Sequence, residues 1–171
     1  MKLAKFMALM LATGSALCVS SCGDDDDDDD NNSSKTVDVA EAVTGSYVQD
    51  LVYSMAYGGD TLTNDTLTIT KVSDNLVNLH FSQYVGMGSG TSQLNVYNVA
   101  VSKAADGTYA LGVSTDTTAA TKAQMTSSKY DVAALSGTVD TETASINFDF
   151  LIAAMNATFS NEFVNAKKIA E

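Results

Sequence analysis

Ser145-Ile146-Asn147-Phe148-Asp149-Phe150-Leu151-Ile152 decides how the folded part of this chain is built. Ile146, Phe148 and Phe150 alternate with Asn147 and Asp149. A period of two puts successive side chains on opposite faces of an extended strand, so the apolar set faces a core.

The same period recurs on both sides. Upstream, Tyr130 to Val139 reads as a strand that turns at Asp140 to Thr143; downstream, a last strand is expected near Met155 to Phe163. The polar tail Asn165 to Glu171 is expected to fray. Tyr109, Leu111 and Val113 alternate after Ala105-Asp106-Gly107, where Asp-Gly predicts a type I′ hairpin turn. Ser114 to Lys129, rich in Thr, Ala and Ser, has no clear period and reads as a loop. Ser92 to Val101 is a strand with apolar residues on both faces. Leu76 to Gln83 places Val77, Leu79 and Phe81 inward, and Ser73-Asp74-Asn75 joins it to Thr63 to Val72. From Gly45 the inward set is Tyr47, Leu51, Tyr53, Met55 and Tyr57, interrupted by Gly58-Gly59-Asp60. Val37 to Thr44 predicts one or two helical turns at the entry.

Eight short strands joined by hairpin-scale turns predict an all-β antiparallel meander. Closure into an eight-stranded up-and-down barrel removes exposed edges, and a two-sheet β-sandwich is the alternative. Eight strands enclose room for side chains or for one small ligand. Without proline, the turns must rely on Gly, Asn, Asp and Ser.

Several local signatures carry a resemblance. Gly45-Ser46-Tyr47 enters the first strand, Asp74-Asn75 makes a turn, Asn98-Val99 leads to Asp106-Gly107-Thr108-Tyr109, and Leu135-Ser136-Gly137-Thr138-Val139 forms a later strand. Together, over Thr44 to Phe163, they resemble the calycin-like β-barrel domains of secreted bacterial lipoproteins. The resemblance implies an extracytoplasmic barrel. True lipocalins open with Gly-x-Trp and close the barrel base with an arginine; here Tyr47 stands in the tryptophan's place and the chain has no arginine.

The N-terminus supplies an address. Lys2 and Lys5 precede an apolar run from Phe6 to Val19, then Ser20, Ser21 and Cys22. This is a secretory leader, too short to span a bilayer, which needs roughly 20 apolar residues. It resembles a lipoprotein leader, which implies cleavage before Cys22 and lipid attachment there. The expected organisation is a signal peptide over 1–21, a lipidated acidic linker over 22–43, the barrel over 44–164 and a tail over 165–171. Asp24 to Asp30 are seven adjacent carboxylates that repel and stay solvated. Such a run is similar to the surface-export signals of some Gram-negative lipoproteins, which implies an outer-membrane, cell-surface location.

Beyond the leader, seven lysines face 21 acids, a balance of −14. That charge leaves no footprint for nucleic acid or for anionic lipid surfaces. With Cys18 in the leader and Cys22 taken by lipid, the folded part has no cysteine, so disulfides and thiolate sites are excluded.

No catalytic site emerges, and the chain reads as non-enzymatic. His80, the one histidine, falls on the outward phase of its strand, and no Gly-x-Ser-x-Gly elbow accompanies it. Gly86-x-Gly88-x-Gly90 lacks the strand-to-helix setting of a phosphate loop. The acid pairs Asp60 with Asp65 and Asp140 with Glu142 lie in or beside apparent turns. No metal or cofactor is expected. The leading expectation is a surface-anchored barrel that binds a small apolar ligand through the inward aromatics Tyr53, Phe81, Tyr109, Phe148 and Phe150; the alternative is a barrel packed by those rings that serves as a non-enzymatic interaction or accessory module, inhibitor-like among the options. A protein partner would use the rim near Gly58-Gly59 and Gly86 to Gly90.

Overall fold

The computed structural model describes residues 38–56, 58–85, 91–125 and 127–170. The leader, Cys22, the aspartate run and the Gly86 to Gly90 connection lie outside them. Within them the fold is a closed antiparallel barrel. Its strands are β1 (Gly45–Met55), β2 (Gly58–Ser73), β3 (Leu76–Val85), β4 (Thr91–Lys103), β5 (Tyr109–Val113), β6 (Lys122–Met125), β7 (Ser128–Val139), β8 (Thr143–Ile152) and β9 (Ala157–Lys168).

Nine segments occupy eight positions. β5 and β6 both lie between β4 and β7: β5 pairs with the base-end half of each and β6 with the rim-end half. They are one strand interrupted by an excursion over 114–121. The order β3-β2-β1-β9-β8-β7, then β5 with β6, then β4, is completed by a β3–β4 pairing that closes the ring. Closure decides for the barrel over the sandwich.

Four departures from the sequence reading have local causes. First, the segment expected as a loop after Ser114 contains β6, too short to show a period. Its excursion is pinned by Thr121, whose hydroxyl accepts from the Ser114 amide and donates to the Asn98 carbonyl at 2.8 and 2.7 Å. Second, the two-faced pattern of β4 is a bulge. Asn98 has φ 56°, and the buried set switches from Leu94 and Val96 to Val99 and Val101. Third, Gly58-Gly59-Asp60 is strand, not break. Gly59 pairs with Ser54, and a Cβ there would sit 2.4 Å from the Tyr53 carbonyl. Fourth, the tail continues as β9 to Lys168, pairing with Tyr47 of β1, while Lys167 pairs with Thr143 of β8.

The hairpin at Asp106-Gly107 forms, but only Gly107 has positive φ, so it is not type I′. Asp106 caps a longer turn by accepting from the Thr108 amide and hydroxyl at 3.0 and 2.7 Å.

One end of the barrel, the base, is closed. The expected helical entry is a 3-10 turn over Glu41–Val43 that buries Ala40 and Val43 beneath the strands. The Ala40 amide donates to the Asp74 carbonyl at 3.0 Å, and Lys71 pairs with Asp38. The Tyr47 hydroxyl donates to the Val43 carbonyl at 3.2 Å. The other end, the rim, carries the β1–β2, β3–β4, β6–β7 and β8–β9 connections.

Candidate functional site

Inward aromatics of β3, β7, β8 and β9 meet in the barrel interior. Phe148 and Phe150, two apart on β8, share the inward face, and Phe150 pairs across the ladder with Phe159 of β9. Their rings stack, with centroids 5.3 Å apart. Tyr130 of β7 lies 5.7 Å from Phe150.

The decisive contact crosses the lumen. β3 and β8 are four positions apart in either direction round the ring, so they face each other. Phe81 of β3 stacks on Phe148 at 5.6 Å and meets Phe163 of β9 edge-on at 5.5 Å. Phe81 and Phe150 are 0% exposed, Phe148 is 2% and Tyr53 is 7%. A ring with no surface that a water-sized sphere can touch has no cavity beside it. At this level the barrel is filled by its own side chains.

Tyr109 differs from the other four. It is half-buried at the start of β5 near the base, with Lys103 Nζ 5.9 Å from its ring centre. It does not join the Phe81–Phe148–Phe150 stack.

Of the three buried polar side chains among the described residues, Thr121 pins the 114–121 excursion, and Asp65 and Asn161 share the inward phase of their strands. Asp65 and Asn161 are 0% and 1% exposed. Asp65 is not a turn residue. It lies within β2 in the inward phase of Leu67 and Ile69, so alternation was the signal for it. Its Oδ1 accepts from the amides of Thr66 and Gln83 and from the Ser82 hydroxyl at 2.7, 2.8 and 2.8 Å. Oδ2 is buried with no partner among the described residues. Burial pushes the carboxyl pKa up, and these hydrogen bonds oppose it. Asn161 shares the inward phase of Phe159 and Phe163. Its amide nitrogen donates to the carbonyls of Phe148 and Phe159 at 3.2 and 3.3 Å, and its Oδ1 is buried without a partner among the described residues.

The remaining chemical groups do not converge. His80 is half-buried on the outer wall, its Nδ1 2.7 Å from Asn95 Oδ1. Asp60 is exposed, and its Oδ1 accepts from the Thr61 amide at 2.8 Å. Asp140 accepts from the Glu142 and Thr143 amides and the Thr143 hydroxyl, which hold its pKa below the usual carboxylate range. Among the described residues no three metal-ligating side chains cluster.

At the base, Lys168 Nζ lies 5.7 Å from the centre of the Tyr47 ring. Gly45 makes room for it, since a Cβ there would stand 2.7 Å from Lys168 Cε. A lysine laid on Tyr47 stands at the base of a chain that departs from the Gly-x-Trp and arginine of true lipocalins.

A sequence model of the calycin-like β-barrel domain matches residues 43–166. The chain belongs to that family. Among solved structures, the calycin-like barrel is similar to a Bacteroides fragilis protein provisionally named an outer membrane protein. The TM-score is 0.50 at 20% identity, over 75% of this chain and 53% of that one. This chain therefore spans about half the length of that relative. No curated protein matches the calycin-like chain.

Proposed function

We propose that this chain is a lipid-anchored outer-membrane lipoprotein, exposed at the cell surface, whose calycin-like barrel is a packed, non-enzymatic interaction module. The observation that carries the reading is the Phe81–Phe148 contact between opposite walls, 5.6 Å between ring centres. A lumen bridged by aromatic rings leaves the outer surface and the rim for recognition. The leader that stops just before Cys22 supports anchoring, since about 0.8 kcal/mol per buried methylene lets two acyl chains hold a domain stably. The similar Bacteroides protein's name supports the outer membrane. The partner is a protein engaged at the rim, near Gly58-Gly59 and the Gly86 to Gly90 connection.

Native mass spectrometry of the protein from its own cells, before and after organic extraction, tests the packed barrel. The expected spectrum shows the covalent acyl chains on Cys22 before and after extraction, and no extractable adduct. A stoichiometric apolar adduct would overturn the reading and make Tyr53, Phe81, Phe148 and Phe150 a ligand wall. Shortening Gly86 to Gly90 is expected to release a co-purifying partner, and Cys22→Ala to abolish incorporation of labelled palmitate.

A further inference from the structure

Three segments at the base stand around a cleft of about 780 Å³. Thr44, Thr141, Glu142, Lys167, Lys168 and Ile169 are among the residues that line it. Its walls are tied together. The Lys168 amide donates to the Glu142 carbonyl at 2.7 Å, and the Ile169 amide to the Ser46 carbonyl at 2.8 Å. Asp140 tightens the β7–β8 turn through the three bonds described above, which engage both its carboxylate oxygens.

The charges in this cleft are unusual for the chain. Its net charge is −12, yet two lysines, Lys167 and Lys168, are among the residues that line it. Lys71 and Lys122 are taken by Asp38 and Asp131. Neither Lys167 nor Lys168 has a carboxylate within ion-pair distance among the described residues. Lys168 is held against the Tyr47 ring, which occupies one side of the ammonium and leaves donors for another partner. Lysine acts on a phosphate as a point charge, without the planar fork that favours a carboxylate. Glu142, which also lines the cleft, would repel an isolated anion but can accept a hydrogen bond from a hydroxyl.

We propose that the basal cleft binds the phosphate group of a small hydroxyl-bearing molecule, with Lys167 and Lys168 on the phosphate and Glu142 accepting from a hydroxyl. The phosphate comes either from a soluble ester or from a glycerophospholipid headgroup. The proposal is independent of how the rim is used.

The test is amide chemical-shift titration of the isotope-labelled protein at constant ionic strength. The probes are inorganic phosphate, glycerol 3-phosphate, and phosphatidylcholine vesicles with and without phosphatidylglycerol. Saturable shifts at Thr141 to Thr143 and Lys167 to Ala170 are expected, with glycerol 3-phosphate tighter than phosphate. Saturation by the soluble probes alone identifies a soluble ester, and changes at the same residues only with phosphatidylglycerol identify a headgroup. Lys167→Met, which removes a side chain with no internal partner, should weaken binding about tenfold. Glu142→Gln should weaken glycerol 3-phosphate and spare inorganic phosphate. Lys129→Met, at the rim end, should change nothing. The proposal fails if no probe saturates, if shifts spread equally to Lys103 and Lys129, or if Lys167→Met leaves affinity unchanged.

Discussion

Phe150→Ala separates a filled barrel from a hollow one. Phe150 has no exposed surface and touches Tyr130, Phe148 and Phe159, with ring centres 5.7, 6.3 and 5.3 Å away. Removing a ring enclosed in this way loses its transfer free energy and leaves a cavity, at a cost of about 3–5 kcal/mol. A ring lining a solvated lumen keeps one face in water, and its truncation would cost about 1 kcal/mol. Against the roughly 5–15 kcal/mol that holds a domain together, the larger figure is a third or more of the total. Urea unfolding followed by far-ultraviolet circular dichroism reads the difference. The midpoint should fall while the slope with denaturant stays constant, because the surface exposed on unfolding barely changes. The variant should also take up a benzene-sized probe that the native protein rejects, since dry apolar cavities accept such molecules. A cost below about 1.5 kcal/mol, with the native protein binding the probe equally well, would refute the packed interior.

Asp65→Asn tests the buried carboxyl. Its folded pKa is raised above the unfolded value, so its protonated form is favoured by folding and its ionisation is not. The stability of the native protein minus that of the variant should therefore fall as pH rises above the unfolded carboxylate range; unfolding measured between acid and neutral pH would refute this if the difference rose. The exposed Asp106, Asp116 and Asp140, with lowered pKa values, act in the opposite sense and cancel in that difference. Asn98→Ala should cost about 1–2 kcal/mol, because alanine tolerates φ 56° poorly, and Asn98→Gly should recover part of that loss in thermal unfolding. Gly45→Ala combines φ +136° with displacement of Lys168 and should cost about 1–3 kcal/mol. Lys168→Met, which keeps the stem and removes the charge from the Tyr47 ring, should cost about 0.5–1 kcal/mol. A larger penalty for Lys168→Met than for Gly45→Ala would contradict the closure described at the base.

Most strands were legible because each half-buried strand must alternate, and Ile146-Asn147-Phe148-Asp149-Phe150 does so without interruption. Legibility failed where the backbone breaks the period. At Asn98 a left-handed residue reverses the inward phase, and at Ala133 the β7–β8 register slips, so the buried set passes from Val132 to Leu135. β6 pairs only four residues, too few to announce a strand. Gly58-Gly59 looked like a break because composition cannot distinguish a glycine that bends the chain from one that lets another backbone approach. Lys168 could not be paired with Tyr47 in advance, because 121 positions separate them and only ring closure brings β9 against β1.

The linear pattern by itself determined an all-β meander without disulfides, with Phe81, Phe148 and Phe150 inward and an acidic surface. These follow from local period and residue count, which need no knowledge of neighbours. Only the tertiary structure decided that the inward aromatics fill the barrel. The distance between opposite walls depends on strand number, tilt and side-chain volume together, and no single segment records it. The placement of Asp65 within the core and of Lys167 and Lys168 around a basal cleft was likewise decided by closure, which sets residues distant in sequence side by side.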